Sequence, residues 1–172
     1  MQCLIMSDSH GAEKEVAEVI ERHVHEVDAM IHCGDSELPA TSPVLKDVYV
    51  VEGNCDRPGA FAEDRAEDIN GIRVYVTHGH LYNVKMTRVP LSYRAEEKAA
   101  RLACFGHSHI AEAFTENGVV YVNPGSLLLP RNRPEQTYAI AQFDKGGQAT
   151  VRFFERESGQ RIHELEQTFS LS

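Results

Sequence analysis

Five short apolar runs, each ending in a polar or glycine-containing turn, constrain the fold of this chain more than any other feature. "CLIM", "AMIHC" and "VYVVE" lie in the first third of the chain, and "IRVYVT" and "LACF" lie in the second third. Short runs of mostly apolar residues bounded by turn residues are typical of buried strands. The sequence therefore predicts a protein built around at least five short strands.

The segments between the first three runs predict helices. In "AEKEVAEVIERHV", Val16, Ile20 and Val24 recur every four residues, which is the spacing of one face of an amphipathic helix. Ser42 and Pro43 predict an N-cap followed by proline at the first helical position of a short helix over about residues 43–46. The order strand–helix–strand–helix–strand is typical of a parallel sheet.

The remainder of the chain carries hairpin signals. Asn-Gly at 70–71 and at 117–118 separates apolar runs, and this pair tolerates the positive φ that both central positions of a tight hairpin turn require. Gly-Gly at 146–147 predicts a third hairpin, between "YAIAQF" and "ATVRFF". "RIHELEQTFSL" predicts a further strand near the end of the sequence. We therefore expect antiparallel pairs beside the parallel strands.

A second helix is predicted over "SYRAEEKAARLA", where Ala95, Ala99 and Leu102 share one face. No internal repeat, low-complexity tract or linker divides the 172 residues. We therefore expect one α/β domain over residues 1–172, with a mixed sheet system and helices outside it.

Charge and composition narrow the classes of function. The net charge of −9 argues against a general basic surface for nucleic acid or an anionic membrane. No apolar run approaches the roughly 20 residues that span a bilayer, and "MQCLIMSDSH" lacks the cationic start of a signal peptide. The four cysteines show no C-x-x-C spacing. We expect a cytoplasmic protein with reduced thiols, no stable nucleic-acid binding and no membrane association.

Polar side chains with metal-binding atoms follow all five of the apolar runs. They are Asp8 and His10, then Asp35, then Asn54, then His78, and finally His107 and His109. In open α/β sheets, ligands bind outside the carboxyl ends of the strands. Each fragment alone is common in turns, but the ordered set at successive strand ends predicts that these side chains converge on one metal site.

The types of these side chains restrict the metal. Two carboxylates, one amide and four imidazoles form a mixed oxygen and nitrogen set that suits Mn, Fe, Zn, Ni or Co and argues against Ca²⁺ and against a structural zinc site of cysteines. Seven ligands are too many for one such ion but fit two ions that share a carboxylate. Two divalent ions beside two aspartates leave the site net positive, which suits a phosphate anion.

The motifs resemble those of the calcineurin-like metallophosphoesterases, and more narrowly the small bacterial and archaeal phosphodiesterase branch of that superfamily. "DSH", "GD", "GNCD", "HGH" and "GHSH" stand in the family's order between residues 8 and 109, and "NPGS" at 123–126 also resembles this branch. The resemblance implies a four-layer α/β/β/α sandwich, in which two mixed β-sheets are flanked by helices. It also implies a small-molecule phosphoester substrate and a possible dimer or tetramer.

The resemblance also implies roles for individual residues. Asp8, His10, Asp35 and His109 would bind one ion, and Asp35, Asn54, His78 and His107 would bind the other. Asp35 would bridge the two ions, and a hydroxide between them would attack the phosphorus atom of a phosphodiester. We expect Mn²⁺, with Ni²⁺, Fe²⁺ or Zn²⁺ as alternatives, and catalytic roles for Asp35, Asn54, Cys55 and His78.

Cys55 departs from the family's usual pattern, in which a histidine follows the Gly-Asn pair near the leaving-group oxygen. A thiol with a pKa near 8.5 is a poorer proton donor at neutral pH than an imidazolium with a pKa near 6.5. The sequence therefore predicts that aryl and other good leaving groups are cleaved much faster than alkyl ones.

For the other polar residues near the motifs, the sequence predicts either a structural role or a weakly supported role in substrate binding. Asn54, Cys55, Arg57 and His80 are weak candidates for substrate binding, and we expect His80 to orient a metal ligand. We interpret the remaining loop cations, Lys85, Arg88, Arg131 and Arg133, as solvated charges. We expect surface positions for His23, His25 and His163, burial for His32 and Cys33, and loop-shaping roles for Asp56, Asn123 and Ser126.

Two alternative functions remain open at this point. A retromer subunit of the same fold serves as a protein-interaction scaffold, although a scaffold has no physical need to keep seven competent ligands. A phosphomonoesterase is the second alternative, and the absence of a histidine at position 55 counts against it.

Overall fold

The computed structural model describes residues 1–171, and its first sheet has six strands in the order β11-β10-β9-β1-β2-β3. The strands are β1 (Gln2–Met6), β2 (Ala29–His32), β3 (Val48–Val50), β9 (Thr137–Phe143), β10 (Gln148–Glu155) and β11 (Gln167–Ser170). β1, β2 and β3 pair in parallel, whereas β9, β10 and β11 add antiparallel pairs. This sheet therefore combines the predicted parallel unit with a C-terminal hairpin.

The second sheet has five strands in the order β4-β5-β6-β8-β7. Its strands are β4 (Asp64–Ile69), β5 (Ile72–Thr77), β6 (Leu102–Cys104), β7 (Ala111–Glu116) and β8 (Val119–Pro124). β5, β6 and β8 are parallel neighbours, and the edge strands β4 and β7 are antiparallel to them. Both sheets are therefore mixed, as predicted.

Helices cover the outer face of each sheet. α1 (Glu13–His23) buries Val16 and Val19 against the outward side chains of β1 and β2, including Leu4 and Met30. α2 (Val89–Glu97) packs in the same way on the five-stranded sheet. The largest apolar cluster lies between the two sheets. The predicted four-layer α/β/β/α sandwich is thus confirmed.

All three predicted hairpins are confirmed, the one at Gly146 and Gly147 by the antiparallel pairing of β9 with β10. Asn70 and Gly71 connect β4 to β5 with φ values of 48° and 82°. Asn117 and Gly118 connect β7 to β8 with φ values of 50° and 78°. Both pairs have the positive φ at two successive positions that the tight turn demands.

Three predicted elements differ from those observed. α2 begins at Val89 and ends at Glu97, because proline occupies its first turn and the chain reverses at Ala99, whose φ is 55°. Leu102 therefore lies in β6 and not on a helical face. The C-terminal strand covers only 167–170, after a 3₁₀ turn at His163–Leu165. The short helix at Pro43–Leu45 is also of 3₁₀ type.

His23 is buried, so its predicted surface position was wrong. It lies on the same face of α1 as Val16 and Val19, at a spacing of i, i+3 and i+7. Its ring makes hydrogen-bond contacts with Glu26 and with the hydroxyl of Tyr138, the latter at 2.7 Å. The buried face of α1 is therefore rotated from the predicted one. His32 and Cys33 are buried, and His25 and His163 are exposed, as expected.

The carboxyl ends of the parallel strands of both sheets meet at one end of the sandwich. Residues 8–10, 35 and 54 follow β1, β2 and β3, and residues 78 and 107–109 follow β5 and β6. None of the helices within residues 1–171 is long and apolar enough to cross a membrane.

Candidate metal centre

Five of the seven predicted ligand residues hold a left-handed backbone conformation. Their φ values are 53° for Asp8, 43° for His10, 54° for Asp35, 69° for His107 and 61° for His109. Such values are uncommon outside glycine, although Asn, Asp and His adopt them more readily than other residues. The turns after the strands are therefore sharp, and they present these side chains in a small space.

The carboxylate of Asp8 is fully buried and has a different environment on each oxygen. Oδ2 accepts hydrogen bonds from the hydroxyl of Ser7 at 2.5 Å and from the backbone N–H of His107 at 3.1 Å. Oδ1 has no hydrogen-bond partner in residues 1–171, although it lies 3.1 Å from Nε2 of His109. A buried carboxylate oxygen without a donor requires compensation by positive charge.

Asp35 is held between the two sheets. Its Oδ1 accepts the backbone N–H of Cys55 at 2.8 Å, and its Oδ2 lies 3.2 Å from Nε2 of His78. Gly53 lies against this carboxylate, because a Cβ atom at that position would be 2.1 Å from Oδ1 of Asp35. Only glycine fits there, which explains the Gly-Asn pair physically.

His78 is fully buried, and its tautomer follows from its partners. Nδ1 is 2.7 Å from the carbonyl oxygen of Cys33, and since a carbonyl only accepts, Nδ1 carries the proton. In the neutral ring, Nε2 then presents a lone pair toward Asp35 and toward Asp8, whose Oδ1 is 3.8 Å away. Two carboxylates around an imidazole lone pair form an environment that a cation satisfies.

His109 and His10 repeat this arrangement on the other side of Asp8. Nδ1 of His109 donates to the carbonyl oxygen of Leu129 at 2.7 Å, so its Nε2 faces Asp8. Nδ1 of His10 lies 2.8 Å from the carboxylate of Glu37, and its Nε2 lies 3.3 Å from Nε2 of His109. Glu37 could not be identified from the sequence, because no motif marks its position two residues after Asp35.

In the described part of the chain, residues 1–171, three groups of side chains have ligand atoms within 4.8 Å of one another. They are Asp8 with His10 and His109, Asp8 with Asp35 and His78, and His10 with Asp35 and Cys55. Asp35 thus lies close to predicted ligands of both ions, and so does Asp8. Oδ1 of Asp8 and Nε2 of His78 are buried and have no hydrogen-bond partner in residues 1–171, and together with them this mixed donor set fits divalent transition-metal ions.

The two remaining predicted ligands lie beside these groups. The ring of His107 has its centroid 5.1 Å from that of His78. Asn54 is exposed, and its side-chain amide is 3.5 Å from Sγ of Cys55. His80 packs near both imidazoles, with centroids 5.4 Å from His78 and 6.1 Å from His107. Its buried Nδ1 has no partner in residues 1–171.

The ionisation of the cluster is set by contacts between its carboxylates and its imidazoles. Burial disfavours the charged form of Asp8, yet its pKa lies below the usual range because His109 and His78 stabilise the carboxylate. The pKa of Asp35 is likewise low, because His78 outweighs its burial. Burial, followed by the charge of His78, lowers the pKa of His107 to about 4. Both carboxylates are therefore charged at neutral pH and His107 is neutral. Against the effect of burial, Asp35 raises the pKa of His78, and the contact with Asp8 raises the pKa of His109, so a metal ion would displace protons from these two rings.

Cys55 lies at the open side of the cluster. Burial, followed by the charge of Asp35, raises the pKa of its thiol to about 11. The thiol is therefore protonated at neutral pH.

A layer of polar residues holds the loops that carry the candidate ligands. Asp56 accepts three backbone N–H groups, from Asp35, Glu37 and Gly53. Asn123 donates to the carbonyl oxygen of Gly106 at 3.1 Å, and the hydroxyl of Ser126 donates to that of Asp8 at 2.7 Å. The loop-shaping interpretation of Asp56, Asn123 and Ser126 therefore agrees with the observed contacts.

Two clefts open beside the cluster. The first, which we call the Cys55 cleft, has a volume of about 830 Å³ and is lined by residues 37–41, Cys55 and residues 57–60. The second, which we call the Lys85/Arg131 cleft, has a volume of about 560 Å³ and is lined by residues 84–88, Ser108, Ile110, Glu112, Arg131 and Asn132. Arg57, the weak substrate candidate, belongs to the first cleft.

The loop cations fall into two classes. Arg88 pairs with Glu112 at 2.6 Å, and Arg133 pairs with Glu135 and Glu164. Arg57, Lys85 and Arg131 have no carboxylate within 4.0 Å among residues 1–171. Of the four cations interpreted as solvated charges, Arg88 and Arg133 are therefore held in ion pairs, whereas Lys85 and Arg131 have no such partner among residues 1–171.

Comparison with known proteins gives consistent matches. The model of the calcineurin-like phosphoesterase superfamily domain matches residues 1–146. A probable metallophosphoesterase of Bacillus subtilis, YsnB, is 45% identical over 171 residues, which cover 99% of this chain and 100% of the relative. The crystal structure of a conserved Streptococcus pneumoniae protein, described as a predicted phosphoesterase, is 35% identical with a TM-score of 0.93 and covers 98% of this chain and 97% of its own.

A more distant structure shares the fold. Wild-type Vps29 from Entamoeba histolytica, complexed with Zn²⁺, matches with a TM-score of 0.74 and 16% identity over 100% of both chains. At this identity the likeness concerns the fold alone.

Proposed function

This chain belongs to the calcineurin-like phosphoesterase superfamily, and we propose that it is a phosphodiesterase that works with two divalent metal ions. The observation that supports this proposal most is the convergence of two buried carboxylates with the Nε2 atoms of His10, His78 and His109. Two of these buried atoms, Oδ1 of Asp8 and Nε2 of His78, lack a hydrogen-bond partner within residues 1–171.

We assign the seven ligand residues as the motifs imply. Asp8, His10, Asp35 and His109 hold one ion, and Asp35, Asn54, His78 and His107 hold the other. When bound, the two ions supply a water of lowered pKa as nucleophile and positive charge for the phosphate oxygens. Manganese is the proposed metal, with nickel, iron or zinc as alternatives, because the donor set has oxygen and nitrogen atoms together.

The residues of this chain hold and orient the reacting groups. The carbonyls of Cys33 and Leu129 fix the protonated Nδ1 atoms of His78 and His109, so that both Nε2 atoms face the carboxylates. Asp35 is fixed by the backbone N–H of Cys55, which links the carboxylate to the loop of Asn54. Asn54 and Cys55 lie at the open side of the cluster, where a phosphodiester would enter.

The proposal is tested by hydrolysis of bis(p-nitrophenyl) phosphate with Mn²⁺, Ni²⁺, Fe²⁺ or Zn²⁺ added to chelator-treated protein. We expect no turnover by the metal-free protein, recovery with Mn²⁺, and two ions bound per chain by elemental analysis. Turnover that is indifferent to chelators would contradict the metal assignment. One ion at full activity would contradict the dinuclear one.

The same experiment separates the alternatives. Stoichiometric metal without hydrolysis of any ester under any cation would favour a protein-interaction scaffold. Vps29 has the same fold. Faster hydrolysis of p-nitrophenyl phosphate than of the diester would favour a phosphomonoesterase.

The residue at position 55 gives a separate prediction on leaving groups. Cys55 is a poor proton donor to an alkoxide, so we expect the rate to fall steeply as the leaving group becomes more basic. In Cys55→His, an imidazolium can protonate the leaving oxygen, so alkyl esters should gain more than aryl esters. The measurement is kcat/KM for a series of diesters of increasing leaving-group pKa. Parallel slopes for the two enzymes would refute this role of position 55.

Three further predictions concern the context of the enzyme. The organisation as one domain and the assembly into a dimer or tetramer stay predictions, and light scattering on the purified protein measures the second. We propose a cytoplasmic location on the basis of the cysteine pattern and the small-molecule substrate.

A further inference from the structure

The Lys85/Arg131 cleft adjoins the candidate metal centre through one loop. Ser108, which lines the cleft, stands between the candidate ligands His107 and His109. The backbone N–H of Arg131 donates to the carbonyl oxygen of His109 at 3.0 Å, which holds the side of the cleft against the ligand loop. With about 560 Å³, the cleft has the size of a site for a small organic group.

The charge in this cleft is positive, in contrast to the chain as a whole. Its only carboxylate among residues 1–171, that of Glu112, is paired with Arg88 at 2.6 Å. Lys85 and Arg131 have no carboxylate within 4.0 Å among those residues.

The walls of the cleft also offer apolar surface. Val84 and Ile110 line it, and the side chain of Met86 is 80% exposed. Methionine is flexible and adapts to ligands of different shapes. The cleft therefore suits an organic group that carries an anion.

The Cys55 cleft differs in charge. It contains one cation, Arg57, and one carboxylate, Glu37, whose oxygen lies 2.8 Å from His10. The two clefts share no lining residue. An anion is therefore favoured on one side of the cluster only.

We propose that Lys85 and Arg131 bind a second anionic group of the substrate, so that the preferred diesters are those in which one ester substituent carries a further phosphate. This inference rests on the proposed phosphodiesterase function. The scissile phosphate occupies the metal centre, the phosphorylated substituent lies in the Lys85/Arg131 cleft, and the other substituent lies toward Cys55. Guanidinium and ammonium groups form charge-assisted hydrogen bonds with phosphate oxygens, which explains the selectivity.

Two substrates that differ only in a phosphate test the inference. They are thymidine 5′-(p-nitrophenyl phosphate) and the same compound with a 3′-phosphate. With the Mn²⁺-loaded protein, we expect kcat/KM to be at least about tenfold higher for the phosphorylated compound, mainly through a lower KM. The preference should shrink in about 0.5 M NaCl, because salt screens exposed charges.

The double variant Lys85→Ala/Arg131→Ala should lose this preference and keep its kcat for the unphosphorylated ester. The matched control is Arg101→Ala/Lys145→Ala, which removes the same charge from exposed positions that line neither cleft. Equal kcat/KM values for the two esters in the wild type, or a preference that survives in the double variant, would overturn the inference.

A binding measurement separates this inference from the proposed function. Calorimetry compares thymidine 3′,5′-bisphosphate with thymidine 5′-phosphate on the Mn²⁺-loaded protein, and we expect at least about tenfold tighter binding of the bisphosphate, lost in the double variant. If this preference is present while neither ester is hydrolysed, the phosphodiesterase function is wrong and the anion site stands. Equal binding of the two nucleotides would overturn the anion site, whatever the hydrolysis shows.

Discussion

The two sheets contribute different chemistry to the candidate metal centre. The six-stranded sheet provides both carboxylates, the amide of Asn54 and one imidazole, whereas the five-stranded sheet provides the three imidazoles of His78, His107 and His109. Neither sheet alone carries a complete ligand set. Hydrogen bonds cross between them at the centre, from His107 to Asp8 and from His78 to the carbonyl of Cys33.

The two sets of ligands are also held by different means. His78 and His109 are oriented by backbone carbonyls, which no substitution removes. On the six-stranded sheet, backbone N–H groups donate to Asp8 and Asp35, whereas His10 depends on the side chain of Glu37. Substitution can therefore remove the support of His10, and the hydrogen bond that Ser7 donates to Asp8, but not the support of His78 or His109.

The largest expected effect is at Asp35, the carboxylate that we propose is shared by both ions. Asp35→Asn should weaken both ions and lower Mn²⁺ affinity more than about 100-fold, since even residues that only support ligands cost 10–100-fold. His109→Ala should weaken one ion only. Calorimetric titration with Mn²⁺ measures affinity and stoichiometry, with Asp47→Asn as the exposed control. Loss of just one ion in Asp35→Asn would contradict the shared position.

The next largest expected effect is on stability, and it comes from the packing between the two sheets. Leu102 of β6 is fully buried in the layer between the sheets, so Leu102→Ala should lower the free energy of unfolding by about 2–5 kcal/mol. The folded variant should still bind Mn²⁺ with nearly normal affinity, because the ligands are held by their own hydrogen bonds. Urea unfolding and metal titration measure the two quantities. Leu81→Ala, at a position 52% exposed, is the control and should change little.

The next prediction concerns how the stability of the six-stranded sheet depends on pH. His32 is buried, and this burial lowers its pKa to about 4, while its Nε2 lies 2.8 Å from the hydroxyl of Ser9, between Asp8 and His10. An unfolded histidine has a pKa near 6.5, so the unfolded chain binds more protons between these values and stability falls as pH falls. Metal-free protein should lose about 2 kcal/mol from this residue between pH 7 and pH 5.

The control for this effect is a pair of variants. His32→Gln should flatten the dependence of the unfolding free energy on pH, whereas His163→Gln, at an exposed position, should leave it unchanged. An identical slope in the wild type and in His32→Gln would show that His32 is not the titrating group.

The smallest effect concerns the side chain that orients His10. Glu37→Gln removes a negative charge 2.8 Å from Nδ1 of His10, so one ion should bind about tenfold more weakly. Titration with Mn²⁺ should show one weakened and one unchanged site. An unchanged affinity at both sites would mean that His10 needs no such support, and the proposed difference between the two sheets would lose its main example.

Much of this architecture could be predicted from local sequence. The hairpins at 70–71 and 117–118 follow from the φ values that Asn and Gly allow, and the ligand positions follow from where the apolar runs stop. The ends of α2 could not be placed, since the alanines at 99 and 100 suit a helix locally and only the register of β6 requires a turn there.

Contacts that depend on tertiary structure could not be predicted. The burial of His23 requires the hydroxyl of Tyr138, which is 115 residues distant in the chain. The contact of Glu37 with His10, and the lack of an acidic partner for Lys85 and Arg131 among residues 1–171, depend on loops from different parts of the sequence. Local pattern cannot distinguish a paired arginine from an unpaired one.

The left-handed backbone at Asp8, His10, Asp35, His107 and His109 has a consequence for how variation at these positions is interpreted. A combinatorial library randomised there and screened only for a folded product should still be enriched in Asp, Asn, His and Gly, because other residues cost roughly 1–2 kcal/mol in this conformation. Recurrence of Asp or His at these positions in such a library would therefore measure backbone tolerance as well as metal chemistry. Replacing each one by Asn, which tolerates the same backbone, would separate the two.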